Sequence, residues 1–237
     1  MRAAMSGHLQ RNLRRVWGMV WRVALTLALI PLVLIPVYRF VPPISTLMAW
    51  EWLTRGGSVE RTWVPLAAIS PALVNAVMMS EDARFCSHNG VDWQELNKVI
   101  ARPDDRPRGA STIAMQSVKN LFFWPARSYL RKAVEVPLAL YADFVWGKPR
   151  EMEIYLNIVE WGPGVFGAEA AARHYFHRPA RALTASEAAL LAVTLPNPEL
   201  RNPAKPGPGL KELAVNIAGR ARMAGGYVDC LAGRIRL

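Results

Sequence analysis

Reactive side chains concentrate first in residues 81–92, Glu81-Asp82-Ala83-Arg84-Phe85-Cys86-Ser87-His88-Asn89-Gly90-Val91-Asp92. They follow an apolar run, residues 73–79, that predicts a buried helix. In helical steps Val74, Met78 and Glu81 share a face, so Glu81 leaves that helix on its core side. A carboxylate set partly in an apolar wall loses hydration, and its pKa rises toward the range of a general base. The competing reading is a helix C-terminus running into a solvated polar turn.

Two polar stripes keep it company. Thr112, Gln116, Lys119 and Asn120 fall at i, i+4, i+7 and i+8, one face of a helix otherwise covered by Ile113, Met115, Val118, Leu121 and Phe122. Amides and hydroxyls mixed with one cation suit an oxygen-rich ligand such as a sugar or a phosphate. Arg131, Lys132 and Glu135 share one side of the next helix, where an isolated trio would be an ordinary surface ion pair. Together the chain offers two carboxylates, Glu81 and Glu135, and cations at Arg108, Lys119, Arg131 and Lys132. Paired carboxylates flanking a sugar suggest chemistry at an anomeric carbon. A hydrolase needs an acid for its leaving oxygen, whereas a transferase acting on a sugar diphosphate needs cations there. The cations favour the transferase.

The elements that must position these groups are helices. Ser70-Pro71 marks a helix start. Asp92 with Glu95 resembles a capping box opening a helix to about residue 101. Residues 102–109 are charged and proline-rich, a mobile loop. Ser111 or Thr112 caps a third helix, and Ser128 starts a fourth that Pro137 should bend. More helices are expected at 149–158, 168–175, 185–195, opened by a capping box from Thr184 to Glu187, and 210–224. Residues 196–209 carry five prolines and read as a surface loop. Alternating strand patterns are nearly absent, so the fold class is mainly α. The glycines at 162, 164 and 167 read as structural supports for a cleft.

Residues 16–38 form an apolar run of bilayer-spanning length whose single charge, Arg22, lies near its start. Arg2, Arg11, Arg14 and Arg15 precede it without an acidic residue, which places the N-terminus in the cytoplasm. No small-x-small site follows, so the run is expected to be retained as an anchor. The net charge of +11 would ordinarily point to nucleic acid, but the anchor puts the basic domain outside the cytoplasm. There it meets anionic lipid or a phosphorylated substrate. Residues 42–53 are aromatic and apolar, either skimming the bilayer or forming an ordinary core helix. The only cysteines, Cys86 and Cys230, are far apart, and no structural disulfide is expected. The expected divisions are a basic tail (1–15), an anchor (16–38), a membrane-proximal segment (39–60) and a catalytic domain (61–237).

These runs, in this order, resemble the family 51 peptidoglycan glycosyltransferases in their short, membrane-anchored monofunctional form. The likeness rests on Glu81-Asp-x-x-Phe85-x-x-His88-x-Gly90-x-Asp92 and Gly109-x-Ser111-Thr112-Ile113-x-x-Gln116-x-x-Lys119-Asn120. Arg131-Lys132-x-x-Glu135 and Tyr155-Leu156-Asn157 complete it, over roughly residues 60–200. The resemblance implies a lysozyme-like α domain that polymerises lipid II at the periplasmic face of the bacterial inner membrane. It makes Glu81 the base acting on the acceptor's GlcNAc 4-hydroxyl, which attacks the donor MurNAc C1 with inversion and releases undecaprenyl diphosphate. Lys119, Arg131, Lys132 and Glu135 would manage that diphosphate, with Glu135 the candidate ligand of a divalent cation, Mg or Mn. Asp82, Phe85, His88, Arg108, Ser111, Thr112, Gln116 and Asn120 would shape the sugar and phosphate subsites. Ser-x-x-Lys with Lys-Thr-Gly is absent, so cross-linking is expected of a separate transpeptidase among the cell-wall partners. The loop between the first two motifs is shorter than the family's usual one. A glycan-cleaving enzyme and a membrane-tethered scaffold remain as alternatives.

Overall fold

The computed structural model describes residues 2–54, 56, 59–101, 111–124 and 129–231, and its architecture is mainly α. Helix α1 (Arg2–Tyr38) carries the apolar run. Its stretch Asn12–Tyr38, of mean hydropathy 2.2, is long and apolar enough to cross a membrane and is mostly unburied. The last turns of α1 are fastened to the domain. Trp146 Nε1 donates to the Ile35 carbonyl at 2.7 Å, and Arg150 donates to the carbonyls of Tyr38 and Val41. Those bonds occupy carbonyls that a helix end leaves without partners. Helix α2 (Thr46–Thr54) buries Met48 and leaves Trp50, Trp52 and Leu53 exposed, which combines the two readings of this segment.

Helix α3 (Pro71–Glu81) begins where the proline predicts. Ser70 does not cap it with its side chain; the hydroxyl donates instead to the Leu183 carbonyl at 3.1 Å. Helix α4 (Trp93–Ala101) has half of its predicted capping box. Asp92 Oδ1 accepts from the backbone N–H groups of Gln94 and Glu95, while the Glu95 side chain turns to Lys98. Helix α5 (Ile113–Phe122) is capped by Thr112, whose Oγ1 accepts from the Met115 N–H. Residues 102–110 and Ser128, with the loop and helix start expected there, lie outside the described residues.

The predicted fourth and fifth helices run together as α6 (Tyr129–Ile158). Its backbone leaves helical geometry at Gly147 (φ 68°, ψ 159°), not at Pro137 as the sequence suggests. A positive φ with extended ψ is cheap only for glycine, and Pro149 then restarts the helix at its first turn. Helices α7 (Ala168–Phe176), α8 (Ala185–Thr194) and α9 (Pro208–Arg222) follow, and the Thr184–Glu187 capping box of α8 is complete. Three strands of two or three residues, β1 (Glu60–Arg61), β2 (Glu160–Gly162) and β3 (Val165–Phe166), are too short to show an alternating pattern. They form a sheet of order β1-β3-β2, with β1 parallel and β2 antiparallel to β3.

Burial organises these helices around two apolar centres. One gathers Leu73, Val77 and Met78 of α3 against α7, α8 and α9. The other joins Ile35 at the end of α1 to Met115 and Val118 of α5 and Ala139, Ala142 and Trp146 of α6. The C-terminal end of α3 and the polar face of α5 meet between them.

Cys86 and Cys230 are joined in a disulfide, contrary to the sequence expectation. Residues Gly225–Leu231 form a 3₁₀ segment that folds back onto the Phe85–Ser87 turn, bringing Cα atoms 144 residues apart to 5.4 Å. Separation along the chain carried no information about this return. Closing so long a loop restricts the unfolded chain, so Cys230→Ser should cost on the order of 2–4 kcal/mol. Denaturant melts with and without reductant check this: reductant should lower the wild-type midpoint and leave that of Cys230→Ser unmoved.

Candidate active site

The site is assembled by bonds that cross from the end of α3 to the start of α5. The backbone leaves the helix at Asp82 (φ −158°, ψ 73°), so Glu81 ends α3 while the Asp82 carboxylate turns inward. Asp82 accepts the N–H of Ile113, the first residue of α5, at 3.0 Å, and meets His88 Nε2 at 2.9 Å. Thr112 donates to the Gly90 carbonyl at 2.6 Å while capping α5. Gly90 has φ +73°, and a Cβ there would stand 2.6 Å from the Ala139 carbonyl oxygen of α6. Only glycine allows that approach. Residues 82–90 are thereby held between α5 and α6.

One turn into α5, Gln116 Nε2 donates to Glu81 Oε2 at 3.1 Å. Its carbonyl oxygen accepts from the Tyr155 hydroxyl at 3.1 Å, which fixes the orientation of the amide. Ser80 Oγ donates to the other Glu81 oxygen at 3.2 Å. Burial pushes the Glu81 carboxyl above its ordinary pKa, opposed by the bonds from Gln116 and Ser80 and by the charges of Lys119 and Arg201. Burial raises the Tyr155 hydroxyl well above its ordinary value, keeping it a donor.

The cations gather around the second carboxylate. Glu135 is only 2% exposed, with Arg131 Nη1 at 3.0 Å from one oxygen and Lys132 Nζ at 3.3 Å from the other. Lys132 also donates to Ser111 Oγ at 2.8 Å, linking α6 to the entrance of α5. Burial lowers the Lys119 pKa, helped by Arg131 and Lys132 and opposed by Glu135 and Glu81, so Lys119 sits in the field of both carboxylates. Burial likewise lowers Lys132, against Glu135. Glu135 is committed to cations, and among the described residues no three His, Cys, Asp or Glu side chains group as metal ligands. This donor set does not fit a divalent cation held by the protein alone.

The sequence candidates divide by burial. Glu81, Ser111, Gln116, Lys119, Arg131 and Lys132 are partly open, whereas Asp82, Phe85, Thr112 and Asn120 are buried, as is the His88 side chain. Asp82 and Thr112 nevertheless reach the wall of the cleft at Glu81, whereas Phe85, His88 and Asn120 do not line it. Phe85 in particular is a core residue with no exposed surface. Arg108 lies outside the described residues.

A cleft of about 250 Å³ opens at Glu81, lined also by Arg84, Asp92, Ser111 and Arg220. Arg220 of α9 and Arg201 come from segments the sequence reads as a helix and a surface loop, and no local pattern marks either residue. Behind Phe85 stands a further unanticipated cluster. Lys148 Nζ is 2.6 Å from Asp143 Oδ1, 3.9 Å from Glu151 Oε2 and 4.4 Å from the centre of the Phe85 ring. Burial pushes the Glu151 carboxyl well up, Asp143 and Asp82 adding to the rise and Lys148 opposing it. Tyr155-Leu156-Asn157 provides support as expected: Asn157 exchanges two 2.9 Å bonds with the Val64 backbone.

The chain matches known proteins along most of its length. The sequence pattern of the transglycosylase family fits residues 50–221. A protein of Brucella suis named biosynthetic peptidoglycan transglycosylase is 56% identical over 224 residues, 91% of this chain and 100% of that relative. A protein of the same name from Agrobacterium fabrum is 56% identical over 211 residues (87% and 93%), and one from Rhizobium meliloti is 50% identical over 226 (92% and 95%). With its buried carboxylate, its cation cluster and these matches in agreement, this chain belongs to the transglycosylase family, a family of glycosyltransferases.

Proposed function

We propose that the chain polymerises lipid II into linear glycan strands. The observation that carries this reading is Glu81, desolvated and held by Gln116, in the electrostatic field of Lys119, with Lys132 of the Arg131–Lys132–Glu135 cluster bonded to Ser111 in the wall of the Glu81 cleft. Glu81 takes the proton from the GlcNAc 4-hydroxyl of the acceptor. The oxygen forms a bond to C1 of the donor MurNAc from the face opposite the diphosphate. The C1–oxygen bond to the diphosphate breaks, and its electron pair leaves with undecaprenyl diphosphate. Lys119, Arg131 and Lys132 offset the charge that develops there, Glu135 keeping the latter two in position. A base for the acceptor and cations for the leaving group are what such an inverting transfer requires.

The names of the relatives support peptidoglycan precursors as substrates. In this reading α1 anchors the chain in the cytoplasmic membrane with its basic N-terminus inside and the catalytic domain on the periplasmic face. The Cys86–Cys230 bond supports an oxidising compartment. Cross-linking falls to a separate transpeptidase.

Glu81→Gln keeps the shape of the site and removes the base. Incubated with lipid II, the purified variant should form glycan polymer about 10²–10⁴-fold more slowly than wild type. Polymerisation at the wild-type rate would sink the assignment.

Two groups bound the pH range of activity. Glu81 must be ionised to accept a proton and its pKa is raised, so kcat/KM should fall on acidification from above the ordinary glutamate value of about 4.3. Lys119 must stay charged and its pKa is lowered, so activity should fall on the alkaline side below the ordinary lysine value of about 10.4. Rates of lipid II consumption between those limits check both limbs.

A further inference from the structure

The outer end of α1 closes over a cavity that the transfer reaction leaves unused. It measures about 430 Å³ and is lined by Arg39, Phe40, Leu66, Trp146, Arg150 and Glu153, among others. It begins directly beyond Tyr38, the last residue of the apolar helix, so an α1 that crosses the bilayer sets it at the level of the outer head groups. Arg150 is fixed in its wall by bonds to the Tyr38 and Val41 carbonyls and to Glu153. The Glu153 charge is taken up by Arg150 and by the Leu66 N–H at 2.9 Å.

Arg39 differs. It gives one Nη1 bond to the Val145 carbonyl, is exposed, and has no carboxylate partner among the described residues. The cavity therefore keeps one uncompensated guanidinium on a rigid frame, beside a largely apolar floor of Leu66, Trp146 and Pro149. Phe40 stands at its rim, 79% exposed. A guanidinium fork matches the oxygens of a phosphate, and exposed aromatic side chains at the head-group level favour the lipid interface.

We propose that this cavity binds the phosphate group of an anionic membrane lipid, with Arg39 on the phosphate and Phe40 against the hydrocarbon chain. The site rests on the reading of α1 as a membrane anchor, and it lies apart from Glu81 and the cation cluster. Phosphatidylglycerol and a polyprenyl phosphate share the required chemistry. Phosphatidylcholine, whose phosphate is offset by its own cation, does not.

The test is lipid retention by the full chain in mild detergent, read by native mass spectrometry. The wild type, Arg39→Gln and Arg39→Lys are each titrated with phosphatidylglycerol, a polyprenyl phosphate, phosphatidylcholine and inorganic phosphate. Wild type should retain one of the two anionic lipids over phosphatidylcholine, and whichever is retained more tightly identifies the source. Arg39→Gln should weaken that retention roughly fivefold, and Arg39→Lys should recover part of it. Equal retention of phosphatidylcholine, wild-type retention by Arg39→Gln, or displacement by inorganic phosphate at the same concentration overturns the site. An unchanged denaturant midpoint of Arg39→Gln shows that its fold is intact. Alkaline extraction of membranes separates the two readings: release of the wild-type chain refutes the anchor and the site with it. A retained chain whose Arg39→Gln form binds lipid normally refutes the site alone.

Discussion

The desolvated Glu81 carboxylate is supported as an anion by the amide of Gln116, whose NH₂ group points toward it, and one hydroxyl decides that orientation. Tyr155 donates to the Gln116 carbonyl oxygen, so the nitrogen must face Glu81. The rest of the site keeps this chain of three groups in register. Asp82 pins the first N–H of α5, Thr112 pins Gly90, and Gly90 lies against α6 without a Cβ between them. A shift of α5 along its axis would carry Gln116 past Glu81 and expose a carboxylate that burial already disfavours as an anion.

The two carboxylates of this lysozyme-like domain have opposite surroundings, and that difference separates their roles. Glu81 is desolvated and held by neutral donors, which leaves it basic. Glu135 is buried beneath two cations and serves them as a counter-ion. Lys119 lies in the field of both, a cation whose charging is opposed by burial and favoured by the two carboxylates.

Local chemistry was legible in the sequence wherever it acts over a few residues. Pro71 and Thr112 start their helices, Thr184 with Glu187 closes a capping box, and Pro149 restarts α6. The stripe of Thr112, Gln116, Lys119 and Asn120 lies on one face as its spacing requires, although Thr112 and Asn120 are buried beneath it. What stayed hidden depends on parts of the chain distant in sequence. The Cys86–Cys230 bond, the Lys148 cluster behind Phe85, and Arg201 beside Glu81 all bring together elements that share no period or spacing. Pro137 drew attention from Gly147, where the backbone takes a conformation only glycine adopts cheaply. The polar character of Asp82 and His88 was plain; that the two pair with each other was visible only in three dimensions.

Burial raises the Glu81 carboxyl and the Gln116 bond holds that rise in check. A ¹³C titration of the glutamate carboxyls, with the Glu81 signal assigned by its loss in Glu81→Gln, tests it most directly. The midpoint should lie above the ordinary glutamate range and rise further in Gln116→Leu, because a bond favouring the anion is gone. A wild-type midpoint at the ordinary value, unmoved by Gln116→Leu, would contradict it.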